Sequence, residues 1–190
     1  MPKQVPVGRK APTFSRKDVL GRLVNPEQLA GKKILLCFYR SADCSVSNLF
    51  LKQVMEHKKA WQEQGLIVIN VFASDAKAVL KHQVPAQHQD MFFIADGEGQ
   101  LYKRYGVTPH VGKYLLSILS PEVYTSLYRT PLTHLKPKGR RLFLIPADFL
   151  INRLGIVVTT HYGWNIGNHI PLQKIDSFVK QGSQPPPSLR

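Results

Sequence analysis

Two thiols, Cys37 and Cys44, are the cysteine complement of this 190-residue chain, and their settings differ. Cys44 stands in the string FYRSADCSVSN, where a strand-like run gives way to a helix-like one. Asp43 suits the N-cap there, which would put Cys44 at the first helical position. Unpaired amides and the positive end of the helix dipole favour an anion at that place, a thiolate included. Arg40, four residues earlier, adds positive charge, whereas the Asp43 carboxylate opposes thiolate formation. Cys37 lies inside an apolar run, where cysteine packs as a small, inert hydrophobe.

Other chemistries find less support. The seven histidines, His57, His82, His88, His110, His134, His161 and His169, show none of the paired spacing with acids or cysteines that a metal site requires. His161 and His169 could border the thiol pocket, with structural hydrogen bonding the simpler reading. Gly97-Glu98-Gly99 lacks the third glycine of a dinucleotide loop. Neither a metal nor an organic cofactor is expected.

The elements that must position Cys44 follow from periodicity. Lys33 to Tyr39 (KILLCFY) and Leu66 to Phe72 (LIVINVF) are short apolar runs suited to adjacent strands buried on both faces. Between them, Ser45 to Gln64 places Val46, Leu49, Phe50, Val54 and Trp61 along one side of a helix. The resulting right-handed βαβ unit sets the loop Arg40 to Cys44 at the carboxyl end of a parallel strand, where α/β ligand sites gather. Further on, the pattern predicts a helix over Ala76 to His82, a strand over Met91 to Ile94 and a turn at Asp96 to Gly99. Ser120 and Pro121 open a helix to about Arg129. Strands at Leu142 to Ile145 and Gly155 to His161 flank a turn near Ala147 to Asn152, and Leu172 to Lys180 closes as a helix. The alternation predicts an α/β fold with residues 1–180 as a single domain, followed by an extended or disordered tail at 181–190 carrying Pro185-Pro186-Pro187.

With 26 Lys and Arg against 12 Asp and Glu, the net charge of +14 favours anionic partners. Arg129, Lys136, Lys138, Arg140, Arg141 and Arg153 cluster against the single acid Asp148, a pattern that an ordinary solvated basic face also produces. The longest clean apolar run, Ile34 to Tyr39, is too short for a membrane span. The N-terminus lacks the apolar core of a secretory signal, and two cysteines suit a reducing compartment, so a cytoplasmic location is expected.

Several strings carry a resemblance in the right order: KAPTF, GKKILLCFYRSADCSVSN, VFASDAK and FFIADGEGQLYKRYGV from about Lys10 to Val107, then RRLFLIPADFLINRLGIVVTTHYGWNIGNHIPLQKIDSF. They resemble the peroxiredoxin-like AhpC/TSA proteins. The resemblance implies a thioredoxin-like fold, a central mixed β-sheet flanked by helices on both faces. It also implies a peroxide-reducing thiol, with Cys44 as nucleophile and Ser41 as the hydroxyl that orients peroxide. Arg140, three residues before Phe143, matches the arginine that polarises peroxide, and Arg141 competes for that role. Cys37 occupies the place of the family's proline, and Ser47 the place of a second thiol, so no Cys-x-x-Cys disulfide can form. Tyr39, Arg40 and Ser47 stand beside the loop as supporting candidates. An external thiol, glutathione or a thioredoxin-like donor, would then regenerate the enzyme.

A second reading keeps the fold without catalysis and makes the basic surface a contact for an acidic partner. A dedicated nucleic-acid binder is disfavoured, because no zinc-knuckle, helix-turn-helix or aromatic-basic motif accompanies the charge. Tyr-rich Gly112 to Leu132 leaves two roles open, a cover over the site or a homodimer contact.

Overall fold

The computed structural model describes residues 3–83, 90–118 and 143–181. Strands β1 (Arg16–Lys17) and β2 (Leu23–Val24) make a small antiparallel ribbon. The main sheet contains β3 (Lys33–Tyr39), β4 (Leu66–Phe72), β5 (Phe92–Ala95), β6 (Ala147–Ile151) and β7 (Val157–Tyr162), in the order β5-β4-β3-β6-β7.

β3 takes the centre because all of its residues are buried and its side chains feed two cores in alternation. Ile34, Leu36 and Phe38 serve one face, and Leu35, Cys37 and Tyr39 the other. Parallel β4 pairs on one side, Lys33 opposite Leu66 through Tyr39 opposite Phe72. Antiparallel β6 pairs on the other, with Cys37 opposite Asp148.

The helices are α1 (Ser45–Glu63), α2 (Ala76–Gln83), α3 (Gln100–Arg104), α4 (Val111–Ile118) and α5 (Leu172–Lys180). Phe50, Leu51, Val54 and Trp61 of α1 join Val79 of α2 and Ile175, Phe178 and Val179 of α5 on the Cys37 face. α3 brings Leu101 and Tyr102 to the opposite face, beside Phe14 and Tyr105. This is the expected α/β arrangement, a mixed sheet covered on both sides. Lys33 locks α5 to the start of β3: its Nζ donates to the carbonyls of Phe178 (3.1 Å), Val179 (2.7 Å) and Gln181 (2.6 Å). Burial lowers the Lys33 pKa, and the charge of Arg153 lowers it further.

β3, β4 and α5 have the expected bounds, and α1 ends one residue early. β5 starts at Phe92 rather than Met91, and Leu49 of α1 faces solvent, 51% exposed. The larger correction concerns the expected strand at Leu142 to Ile145 and turn at Ala147 to Asn152, because the strand is β6 itself, at Ala147–Ile151. Pro146 has no N–H for a ladder, and polar Asp148 is tolerated inside because its carboxylate accepts the Ile170 N–H at 2.8 Å and faces His169 Nδ1 at 3.0 Å. The turn falls at Asn152 to Gly155, where the Asn152 side-chain oxygen accepts the N–H groups of Leu154 and Ile156, both at 3.0 Å. The expected helix at Pro121 to Arg129 lies outside the described residues, as do residues 182–190 of the expected tail. Among the described residues no helix is long and apolar enough to cross a membrane.

Candidate active site

Cys44 is the N-cap of α1, with φ −80° and ψ 109°, and is 3% exposed. Asp43 is therefore not the cap. A turn closed by the Cys44 N–H on the Ser41 carbonyl (3.2 Å) uses residues 41–44, so the helix begins one residue later than expected. The Cys44 carbonyl accepts the first helical bond, from Asn48 N–H at 3.0 Å, and its side chain makes no capping hydrogen bond. A sulfur at this position can therefore accept from the free amides of the first turn. The loop is pinned through Ala42, whose N–H donates to Ser74 Oγ (3.0 Å) and whose carbonyl accepts from the side chains of Asn48 (3.4 Å) and Gln83.

Around the thiol lie Val46, Ile145 and Ile166, with Tyr114 of α4 packed against them. Arg40 is 1% exposed, and its guanidinium carbon lies 5.4 Å from the centre of the Tyr114 ring. Nε and Nη1 of this guanidinium have no hydrogen-bond partner, and among the described residues no acid pairs with it. An uncompensated cation in the interior costs several kcal/mol. Tyr114 thus links the buried cation to the pocket of the buried thiol. Of the Gly112 to Leu132 segment, Tyr114 packs against this pocket, and residues 119–132 lie outside the described residues.

The loop after β7 folds over the first turn of α1. Gly163 is required there, since a Cβ would stand 2.6 Å from the Asn168 carbonyl oxygen, and one on Gly167 would reach Val46 at 3.0 Å. Asn168 holds the loop by facing His161 Nε2 (3.0 Å) and accepting the Trp164 N–H (3.2 Å). Ser117 Oγ accepts the Ile166 N–H at 3.0 Å, and Lys113 donates to the Gly163 carbonyl at 3.0 Å. The loop ends on His169, 7% exposed, which stacks on Phe50 with ring centres 4.1 Å apart and 6° between planes.

Ser41 is buried in the turn, and Ser47 is fully buried on α1 with its hydroxyl unpartnered. The Tyr39 phenol donates to Asn70 Oδ1 at 3.2 Å, and burial holds its pKa well above the ordinary value. Burial likewise pushes the Cys37 thiol well up, reinforced by the Asp148 carboxylate across the ladder. Arg140 and Arg141 lie outside the described residues. Sequence reasoning missed Tyr114 and Asp148, because only the fold brings them to this place.

Comparison with known proteins agrees with this architecture. The chain matches the AhpC/TSA family over residues 7–160. It is 27% identical over 108 residues to a Coxiella burnetii protein named as a peroxiredoxin, bcp, covering 54% of this chain and 68% of that protein. A thiol peroxidase from Chromobacterium violaceum superposes with a TM-score of 0.68 at 14% identity, over 96% of this chain and 90% of that one. Reduced 2-Cys peroxiredoxin from Plasmodium vivax gives 0.63 at 17% identity, over 91% and 79%. These two structures share the thioredoxin-like fold. With its sheet order, its cysteine at the start of α1 and a profile match over most of its length, the chain belongs to the AhpC/TSA family.

Proposed function

We propose that the protein is a one-cysteine thiol peroxidase acting through Cys44. The Cys44 thiolate attacks the terminal peroxide oxygen, the O–O bond breaks, and the leaving oxygen departs as alcohol or water once protonated, leaving a sulfenic acid. One external thiol then displaces water to form a mixed disulfide. A second releases Cys44 and carries away the oxidising equivalents as its own disulfide. Ser41 and Arg140, with Arg141 as the competing arginine, take the peroxide-orienting roles implied by the family, and no thiol stands at Ser47 to resolve the intermediate internally.

The observation that best supports this reading is the pairing of an uncapped N-cap cysteine with the buried guanidinium of Arg40, whose Nε and Nη1 have no hydrogen-bond partner, across Tyr114. Buried donors of a cation left without an acceptor among the described residues are explained by an anion formed during the reaction. The test is to treat the reduced protein with stoichiometric hydrogen peroxide and trap sulfenic acid in wild type, Cys44→Ser and Cys37→Ser. Trapping in wild type and Cys37→Ser but not in Cys44→Ser is expected; equal trapping in all three would refute it.

A second reading, a non-catalytic module that contacts an acidic partner, draws on the net charge of +14. It predicts no sulfenic acid in any of the three proteins.

A further inference from the structure

At the end of the sheet away from Cys44 the structure holds a cavity of about 470 Å³. A strand rises about 3.3 Å per residue, so Ile34 in the cavity wall stands roughly 17 Å along β3 from Tyr39, where the Cys44 loop starts. The volume falls within the roughly 300–1,000 Å³ of small-molecule sites. Segments 10–13, 26–32 and 152–155 supply most of the wall. Backbone bonds tie them together, the Ala11 N–H on the Gly155 carbonyl and the Gly31 N–H on the Arg153 carbonyl, both at 2.9 Å. Asn152 Oδ1 holds the last segment in shape by accepting the N–H groups of Leu154 and Ile156. The cavity is therefore preformed, and a ligand entering it orders little of the chain.

The lining divides into an apolar floor and a charged edge. Ala11, Ile34 and Ile151 are buried and form the floor with Leu29, which packs on the same core. Leu154, 63% exposed, extends the apolar lining into solvent. Lys10, Lys32 and Arg153 stand exposed along the edge, three cations against one acid, Glu27. None of the described lining residues is aromatic, so a nucleotide base finds no ring to stack on. None is a cysteine or histidine, so the lining suits holding a ligand rather than transforming it.

We infer that this cavity binds an aliphatic monocarboxylate, with its chain on the Ala11, Leu29, Ile34 and Ile151 floor and its carboxylate among Lys10, Lys32 and Arg153. The cation excess at the edge selects an anion, and the exposed edge leaves the carboxylate partly hydrated, so its desolvation is small. The methylene stems of the two lysines and the arginine can cover the chain while their charged ends stay in water. A small inorganic anion leaves the floor wet, and a neutral chain makes no use of the charge. The site lies apart from Cys44 and does not depend on the peroxidase reading.

The test is isothermal titration of the full reduced chain with octanoate, octanol and acetate as probes. Octanoate should bind one to one with a Kd below about 1 mM, octanol at least about tenfold more weakly, and acetate without saturation. Lys32→Glu reverses an exposed charge at the edge and should weaken octanoate at least about tenfold. Ala30→Trp, at an exposed lining position, should fill the cavity and abolish binding. Thermal unfolding of the unliganded variants shows that each is folded. Cys44→Ser should bind octanoate as wild type does, whatever happens to its reaction with peroxide. No saturable octanoate binding, octanol binding as tight as octanoate, or octanoate affinity unchanged in either Lys32→Glu or Ala30→Trp would overturn the site.

Discussion

Replacing Arg40 by methionine should make the protein more stable and less reactive at once. The guanidinium is 1% exposed, with Nε and Nη1 unpartnered and no acid paired to it among the described residues. Its burial costs several kcal/mol, of which the contact with Tyr114 returns about 1–2 kcal/mol. Methionine keeps the length and apolar stem of the side chain without the charge, so Arg40→Met should raise the unfolding free energy by about 1–3 kcal/mol. For a chain of this size that is a rise in Tm of roughly 5 °C, readable by thermal unfolding under reducing conditions. The same substitution should lower the second-order rate of Cys44 oxidation by hydrogen peroxide about ten- to a hundredfold, the scale of losing one preorganised charge. A loss of 3–5 kcal/mol on substitution, as breaking a compensated buried pair produces, would refute the reasoning, because Arg40 would then be a structural ion.

Three further outcomes follow from the packing. Lys33→Met removes three charge-assisted bonds to the carboxyl end of α5 and should cost about 2–3 kcal/mol, seen as a lower urea midpoint with an unchanged slope. Cys37, Tyr39 and Tyr105 all have pKa values raised by burial above the ordinary 9.0 or 10.0. Their contribution to stability is full below pH about 9 and is lost as pH rises, since unfolding frees them to ionise. Lys33, shifted down, works in the opposite sense. Urea melts between pH 7 and 10.5 should therefore show falling stability, and Tyr105→Phe should flatten the fall. Asp148→Asn should destabilise by about 2–4 kcal/mol in urea melts, because its carboxylate serves both His169 and the Ile170 N–H in the interior.

Strands β3 and β4 and helix α5 were legible to the residue, because the strands are short, almost wholly apolar runs and Ile175, Phe178 and Val179 line one face of α5. β6 was not, since Asp148 and Asn152 read as turn residues unless one knows that His169 and Ile170 come round to satisfy Asp148. The Cys44 loop was legible in position but not in cap. The extra turn from Ser41 to Cys44 depends on Ser74 and Gln83 gripping Ala42, contacts 32 and 41 residues away in sequence. The burial of Arg40 left no local signal, because a charged residue at a strand end is ordinarily solvated. Tyr114 reaches the site only through the packing of α4.

Whether Cys44 is the reactive group is tested most directly by its rate of oxidation. Hydrogen peroxide should oxidise Cys44 in the reduced wild-type protein at least a hundredfold faster than free cysteine at neutral pH, on the scale expected for a preorganised electrostatic site, as followed by stopped flow with sulfenic acid located by mass spectrometry. A rate equal to that of free cysteine, or oxidation falling first on Cys37, would contradict it.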